Sequence, residues 1–115
     1  MDMVGIEVQP RRPLMPEEKA FVVVQIVIND LDGYGQYGLA NHLEIFDKFS
    51  GKLVAADDGV EVIEGSWPFT RTVLVEFPNK ELARAWYQSD EYQAVVGLRH
   101  RSATSNLVLV SGYPG

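Results

Sequence analysis

The sequence contains no cysteine, which excludes disulfide bonds, a thiol nucleophile and thiolate metal ligands. Basic residues are also few, since 10 Lys and Arg stand against 16 Asp and Glu and leave a net charge of −6. Because nucleic-acid phosphates are bound by clustered Lys and Arg, this balance argues against a nucleic-acid partner. The longest apolar run, residues 21–28, is much shorter than the roughly 20 residues that span a bilayer. With no secretory pattern either, we expect a cytoplasmic protein without a membrane partner.

Histidine is scarce as well, and the two histidines, His42 and His100, lie far apart in the chain. Neither is followed by a second histidine one helical turn later, so the chain offers no recognisable set of metal ligands. Gly33, Gly35 and Gly38 do not form a dinucleotide fingerprint, because they fall inside a helical pattern rather than between a strand and a helix. No Gly-x-Ser-x-Gly sequence marks a serine nucleophile. We therefore expect no bound metal and no cofactor.

The length of 115 residues and the hydrophobic fraction of 46% fit one globular domain with a modest core. Pro10, Pro13 and Pro16 lie close together near the start of the chain. Proline lacks an amide hydrogen and fixes its own φ, so this segment cannot form a continuous helix or a central strand. We predict an extended N-terminal arm over residues 1–19 and a single domain over residues 20–115.

Beyond the arm, the hydrophobic pattern switches between strands and helices. Residues 21–28 are apolar on both faces, as in a strand covered on two sides, and a three-to-four-residue apolar repeat predicts a long helix after them. Asn79 and Ser89 are typical helix caps. The patterns predict helices at about 31–49, 80–87 and 90–98, and strands at 21–28, 52–56, 60–64, 70–77 and 106–111.

This order predicts an α+β protein with the ferredoxin-like β-α-β-β-α-β topology, an antiparallel sheet with helices on one face. The first and last strands are nevertheless apolar on both faces, so the bare face of the sheet must be covered. Nothing else in the chain is long enough to cover it. A second copy of the chain is the simplest cover, and we expect a homodimer.

An ordered series of residues between positions 64 and 99 forms a signature. A Gly-x-Trp-Pro turn leads to an arginine, an apolar strand ends in Glu-Phe-Pro, and Trp-Tyr-x-Ser and Glu-Tyr-Gln follow. The residues are Glu64, Gly65, Trp67, Pro68, Arg71, Glu76, Phe77, Pro78, Trp86, Tyr87, Ser89, Glu91, Tyr92, Gln93 and Arg99. This series resembles domain-of-unknown-function family thirteen-thirty over about residues 20–112. The resemblance implies a small, bacterial-type ferredoxin-like protein that pairs as a dimeric α/β barrel and has no established activity.

Arg71 is the most informative candidate for ligand binding, because it opens an otherwise apolar strand. The alternation along this strand places Arg71 on one face with Val73, Val75 and Phe77. Its planar guanidinium can hold a carboxylate through two hydrogen bonds. Two interpretations stay open, an ion pair with Glu64 across the Trp-Pro turn or a bound anionic or polar ligand. Aromatic side chains with a polar tip wall small-molecule pockets well. The predicted ligand-binding residues are Arg71, Trp67, Tyr37, Tyr87 and Tyr92.

Three functions are compatible with the sequence, and the first two use a site between sheet and helices. The first is a cofactor-independent enzyme acting on a small organic molecule, with His42, Tyr34 or Glu64 as its acid or base. The second is a non-catalytic small-molecule-binding protein that uses the same pocket. The third is a homodimeric interaction module with a filled interior. A titratable group that is free to face the ligand would favour the enzyme.

Two further groups have structural interpretations. Trp86 lies on the apolar side of a short predicted helix, and we assign it to the core. The run Arg99-His100-Arg101 falls where a helix should end, and positive charge there complements the helix dipole.

Overall fold

Four strands form the sheet of this protein in the computed structural model, which describes residues 18–113. They are β1 (Ala20–Ile28), β2 (Lys52–Asp57), β3 (Arg71–Phe77) and β4 (Ala103–Ser111). All neighbouring strands are antiparallel, in the order β2-β3-β1-β4. Helices connect β1 to β2 and β3 to β4, so the predicted α+β class and ferredoxin-like topology are confirmed.

Each of these two connections contains a pair of helices. The first pair is α1 (Leu31–Gly38) and α2 (His42–Lys48), and the second is α3 (Lys80–Gln88) and α4 (Asp90–Ser102). The side chain of Asn79 accepts a hydrogen bond in the first turn of α3, and that of Ser89 does so in α4. Both predicted caps are therefore confirmed.

The secondary structure differs from the sequence prediction in three places. The single helix expected over residues 31–49 is two helices, because α1 has three glycines in eight residues and ends at the third. The short strand expected over residues 60–64 is wrong, since residues 58–70 form an irregular loop between β2 and β3. Helix α4 continues to Ser102 and β4 begins at the next residue, so both are longer than predicted.

The register of the sheet decides which side chains face the helices. Val22 of β1 is paired with Val75 of β3, and Ile26 with Arg71. Directly opposed side chains lie on the same face of a sheet. Val22 and Val75 are each only 2% exposed and belong to the core beneath the helices. Arg71 therefore also lies on the helix-covered face, as the alternation along β3 predicted.

The other face of the sheet carries no helix from the part of the chain that the structure describes. Phe21 of β1 is paired with Val110 of β4, and Val23 with Val108, so these four apolar side chains share this face. Val108 is 52% exposed and Val110 is 41% exposed. We call this surface the open face of the sheet.

The N-terminal arm predicted for residues 1–19 lies almost entirely outside the described residues. The division into an arm and a domain over residues 20–115 therefore stays a prediction. Within residues 18–113, no helix combines the length and the hydrophobicity needed to cross a membrane.

Candidate functional site

Three tyrosines meet between the helices and the sheet. Tyr34 and Tyr37 lie three residues apart on α1 and share one side of that helix, with ring centroids 5.5 Å apart. The hydroxyl oxygen of Tyr37 lies 2.6 Å from that of Tyr92 on α4. Tyr92 is 1% exposed and Tyr34 is 7% exposed. We call these three residues the tyrosine cluster.

Burial raises the pKa of two of these tyrosines. The pKa of Tyr37 is raised far above its usual value, first by burial and then by the neighbouring Tyr92. The pKa of Tyr34 is also raised, because burial outweighs the opposing effect of the Arg71 charge. At neutral pH both side chains are therefore hydrogen-bond donors or acids rather than bases.

Arg99 lies at the inner end of the tyrosine cluster and is only 3% exposed. It follows Tyr92 by seven residues, about two helical turns, so α4 presents both side chains on one face. Its Nη1 donates to the hydroxyl of Ser105, and its guanidinium carbon lies 5.9 Å from the ring centroid of Tyr37. Burial opposes the charge and lowers the pKa of Arg99, but the oxygens of Tyr92 and Tyr37 outweigh it, so the pKa rises overall. The side chain is a buried cation.

The protein oxygens around Arg99 are uncharged. They belong to the hydroxyls of Ser105, Tyr92 and Tyr37. No carboxylate among residues 18–113 forms an ion pair with this guanidinium. A buried charge is costly unless it is paired, so the inner end of the cluster has an excess of positive charge.

Arg71 lies at the outer end of the cluster. Its guanidinium carbon is 5.6 Å from the ring centroid of Tyr34. Its Nε and Nη2 donate to the two carboxylate oxygens of Asp58 at 2.5 and 2.9 Å. The hydrogen bonds of this pair raise the pKa of Arg71 and lower the pKa of Asp58. The charge of Arg71 is therefore balanced within the chain.

Of the two interpretations left open for Arg71, the ion pair with Glu64 is wrong, because Arg71 pairs with Asp58. Asp58 directly follows β2, and Arg71 is the first residue of β3. Because β2 and β3 are hydrogen-bonded neighbours, their register brings these two residues together. Glu64 lies exposed in the loop between the two strands.

His42 begins α2 beside the cluster. Its Nε2 lies 2.8 Å from the backbone oxygen of Tyr37, and the two ring centroids are 4.4 Å apart. A carbonyl oxygen can only accept, so Nε2 carries the hydrogen and Nδ1 of the neutral ring is free to act as a base. His42 also lines an open groove of about 550 Å³ between α2 and β2. Within residues 18–113, no group of three or more His, Asp or Glu side chains is placed to hold a metal ion.

A cleft of about 200 Å³ lies between α3 and the strands β1 and β4. Trp86 is 3% exposed, and its indole Nε1 has no hydrogen-bond acceptor among the described residues. The ring centroid of Trp86 lies 4.3 Å from that of Tyr92, so the cleft and the tyrosine cluster share this wall. The residues lining the cleft are Val22, Ala83, Arg84, Trp86, Tyr87, Gln88, Leu107 and Leu109.

Most of the residues predicted for a site lie around the cluster and the cleft. These are His42, Tyr34, Tyr37, Arg71, Tyr87 and Tyr92. Trp67 lies away from them, because its Nε1 donates at 2.9 Å to Thr72, whose position in β3 places it on the open face. Glu64 is also remote, in the exposed loop. The assignment of Trp86 to the core is confirmed by its burial.

Arg99 is the residue that the sequence prediction did not include in a site. It lies in the last turn of α4, as expected, but it is buried, whereas His100 and Arg101 are exposed. The signal was present in the spacing, because Arg99 follows Val96 by three residues and Tyr92 by seven. Residues at these intervals share one side of a helix, and both neighbours are buried.

The fold and the buried groups above it define a small ferredoxin-like α+β protein with a candidate site between sheet and helices. The chain belongs to the family described as domain of unknown function DUF1330, which matches residues 19–113. The family resemblance of the sequence is thereby confirmed. A comparison with curated proteins finds no match.

Several solved structures share the fold. A protein of unknown function from Rhodopseudomonas palustris has a TM-score of 0.68 at 15% identity, with 86% of this chain and 85% of that chain covered. SnoaB, a cofactor-independent oxygenase from Streptomyces nogalater, has a TM-score of 0.55 at 10% identity, with coverages of 85% and 96%. A dimeric ferredoxin-like protein of unknown function from Thermobifida fusca has a TM-score of 0.53 at 11% identity, with coverages of 90% and 100%. At these identities the similarity shows the fold alone.

Proposed function

We propose that this protein is a cofactor-independent enzyme that binds a small organic molecule in the cleft between α3 and the sheet. The observation that carries the proposal is the indole nitrogen of Trp86. This nitrogen is buried, belongs to a residue that lines the cleft, and has no acceptor among the described residues. A buried donor without an acceptor costs about 1–3 kcal/mol, and a ligand oxygen that accepts from Nε1 would remove this cost.

The dimensions and chemistry of the cleft support a small ligand. Its volume of about 200 Å³ lies below the range of roughly 300–1,000 Å³ that is typical of drug-sized ligands. The rings of Trp86 and Tyr87 and the side chains of Leu107 and Leu109 form an apolar lining. A molecule of one or two rings with a polar substituent matches such walls.

Acid and base groups lie behind the cleft. Tyr92 packs against Trp86, and its hydroxyl shares a hydrogen bond with Tyr37. With its raised pKa, Tyr37 keeps its hydroxyl proton and can donate a hydrogen bond, while Nδ1 of His42 is the base next to it. A protein of the same fold is a cofactor-independent oxygenase, and this supports catalysis without a cofactor only as an analogy of fold.

The binding step is tested with the two tryptophans of the chain. In a Trp67→Phe protein, the fluorescence of Trp86 alone reports on the cleft. We expect a screen of small aromatic and polar organic molecules to yield compounds that raise the melting temperature and change this fluorescence. Trp86→Phe should weaken those compounds about five-fold, as for one lost hydrogen bond, while Trp67→Phe leaves their affinity unchanged. Equal affinities in both variants would argue against the cleft.

Catalysis is tested on the compounds that bind. Each is incubated with the protein without added metal or cofactor, and products are sought by mass spectrometry. We expect turnover that falls in Tyr92→Phe while binding persists. Binding without turnover for every compound would instead support a non-catalytic small-molecule-binding protein that uses the same cleft.

We also propose that the protein is a homodimer in the cytoplasm, with the open faces of two sheets packed together as in a dimeric α/β barrel. The exposed apolar residues Val108 and Val110 support this arrangement. Equilibrium sedimentation should give a dimer at micromolar concentration, and Val108→Lys should shift it toward the monomer. A folded wild-type monomer under these conditions would exclude the dimer and leave the enzyme proposal in place.

A further inference from the structure

We propose that the molecule bound in the cleft is a flat aromatic monocarboxylate whose carboxylate group binds Arg99. This inference depends on the proposed function for the presence of a ligand in the cleft. It adds the charge of the ligand, its chemical class and the residue that recognises it.

The negative charge of the proposed ligand follows from the surroundings of Arg99. The side chain is 3% exposed, and the oxygens that the described residues offer it are neutral hydroxyls. Its guanidinium has five N–H groups, and the partners that the described residues offer them are the hydroxyls of Ser105, Tyr92 and Tyr37, none of which carries a charge. A carboxylate would accept two parallel hydrogen bonds from such a fork and neutralise the buried charge.

The second arginine on the helix-covered face lacks this property. Arg71 donates through two nitrogens to both carboxylate oxygens of Asp58, so its charge is already neutralised and its fork is occupied. A third arginine, Arg84, lies at the rim of the cleft and is exposed. An exposed guanidinium gains little from an anion, since solvent screens the attraction. Arg99 is therefore the position where an anion is stabilised most.

Arg99 does not line the cleft itself, but it lies close beyond one end of it. Its hydrogen-bond partner Ser105 and the cleft residue Leu107 alternate onto the same face of β4, about 7 Å apart along the strand. Tyr92 bridges the same interval on α4, because its ring packs on Trp86 and its oxygen interacts with Arg99. One aromatic ring with a carboxylate substituent can span this interval.

The shape of the ligand follows from the walls. Trp86 and Tyr87 present aromatic rings on one side, and Val22, Leu107 and Leu109 present aliphatic groups from the sheet. The apolar walls disfavour a second charge on the body of the ligand, because the polar lining residues Arg84 and Gln88 are exposed to solvent rather than buried against the ring. A flat ring stacks against the indole of Trp86 and leaves a single anionic end for Arg99.

The charge preference is measured on the wild-type chain with matched probes. Benzoate is compared with benzamide and 1-naphthoate with 1-naphthamide, because each pair has one shape and differs in charge. Calorimetric titration at neutral pH should show each acid binding at least about ten-fold more tightly than its amide. Acids and amides that bind equally would overturn the carboxylate inference.

The residue is tested by Arg99→Lys, with Arg101→Lys as the matched control in the same turn of α4. Lysine keeps the charge but cannot form the planar fork. We expect Arg99→Lys to lose about ten-fold in affinity for the acids while its affinity for the amides is unchanged, and Arg101→Lys to behave as wild type. Acid binding that survives Arg99→Lys would overturn the assignment. If that variant does not fold, the acid–amide comparison in the wild type and a several-fold loss of acid binding in Ser105→Ala decide the question.

The outcomes separate this inference from the proposed function. Aromatic amides that bind in the cleft as well as the acids, and that lose affinity in Trp86→Phe, would leave the proposed function standing and remove the carboxylate. Failure of all four probes to bind would remove the inference. The proposed function would then depend on the wider compound screen.

Discussion

Two arginine–tyrosine pairs flank α1, and they differ in what balances the arginine. At the outer end Arg71 lies 5.6 Å from the ring of Tyr34, and at the inner end Arg99 lies 5.9 Å from the ring of Tyr37. Asp58 neutralises Arg71, whose side chain is 33% exposed, close to the surface. Arg99 is buried, and the oxygens around it are neutral.

This difference indicates that Arg71 has a structural role. The pair of Arg71 with Asp58 joins the start of β3 to the loop after β2, and both partners are satisfied without a ligand. Arg99 has only neutral hydroxyls as partners, which stabilise its charge without neutralising it, and we expect an anion to stabilise it further. The five predictions below test this contrast, from the largest expected effect to the smallest.

The largest expected effect concerns the two tryptophans. Trp86 supports the tyrosine cluster by packing on Tyr92, whereas Trp67 lies in the loop before β3 and away from the cluster. Trp86→Ala should lower the free energy of unfolding by about 3–5 kcal/mol, as for a buried aromatic side chain truncated to a methyl group. Trp67→Ala, at a residue that is 37% exposed, should cost about 1 kcal/mol. Urea denaturation measures both, and similar losses would show that Trp86 is no better packed than Trp67.

The next effect concerns the tyrosine hydroxyls. Tyr37→Phe leaves the buried hydroxyl of Tyr92 without its partner, and we expect a loss of about 1–3 kcal/mol. Tyr34→Phe should cost less than about 1 kcal/mol, since Arg71 keeps both bonds to Asp58. Equal losses in chemical denaturation would contradict the contrast between the ends.

The same hydroxyl predicts a pH dependence. Because the pKa of Tyr37 is raised in the folded state, above pH 10 the unfolded chain releases a proton that the folded protein retains. The stability that this phenol contributes is present below about pH 10 and is lost as the pH rises above it. The free energy of unfolding should fall more steeply with alkaline pH in the wild type than in Tyr37→Phe. Parallel pH profiles would show that Tyr37 ionises as easily when folded as when unfolded.

Much of the fold could be predicted from the sequence because its signals are local. The alternation along β3 placed Arg71 with Val75 on one face, and the capping residues Asn79 and Ser89 marked two helix starts. The break between α1 and α2 was missed, because the apolar repeat continues across it although the glycines of α1 end that helix. Periodicity therefore predicted the elements better than their boundaries.

The site could be predicted only in part, because its decisive features arise from contacts between distant segments. Asp58 replaces Glu64 as the partner of Arg71 because of strand register, which the spacing in the chain does not reveal. The burial of Arg99 depends on α1 packing over α4, and a basic residue at a helix end is exposed in most proteins. Tyr34, Tyr37 and Tyr92 were named from the sequence as site candidates, and they lie together because Tyr34 and Tyr37 share one side of a helix that packs on Tyr92.

The third expected effect is a change in stability that has opposite signs at the two arginines. Arg99→Met replaces a buried cation without a carboxylate partner by an apolar chain of similar length, and should raise the stability of the ligand-free protein by about 1–2 kcal/mol. Arg71→Met removes a partly exposed ion pair and should lower stability by up to about 1 kcal/mol. Denaturation in buffer without organic acids measures both. A loss above about 2 kcal/mol in Arg99→Met would make Arg99 a structural residue that its hydroxyl neighbours satisfy.

The smallest effect is the coupling between Arg71 and Asp58. Their hydrogen bonds have good bidentate geometry, but Asp58 is 64% exposed and solvent screens the pair, so a double-mutant cycle should give about 0.5–1 kcal/mol. The same cycle with Glu64 should give a coupling near zero.

Since the pKa of Asp58 is lowered by its bond to Arg71, the stabilisation from this pair is present above the ordinary pKa of 3.8 and is lost as the pH falls through the depressed value. Coupling energies measured at pH 7 and pH 2, with 1 M NaCl as a screening control, test both statements. A coupling above about 2 kcal/mol that persists in salt would mean that the Arg71–Asp58 pair is shielded from solvent as Arg99 is. The two arginines would then differ only in whether a carboxylate neutralises them.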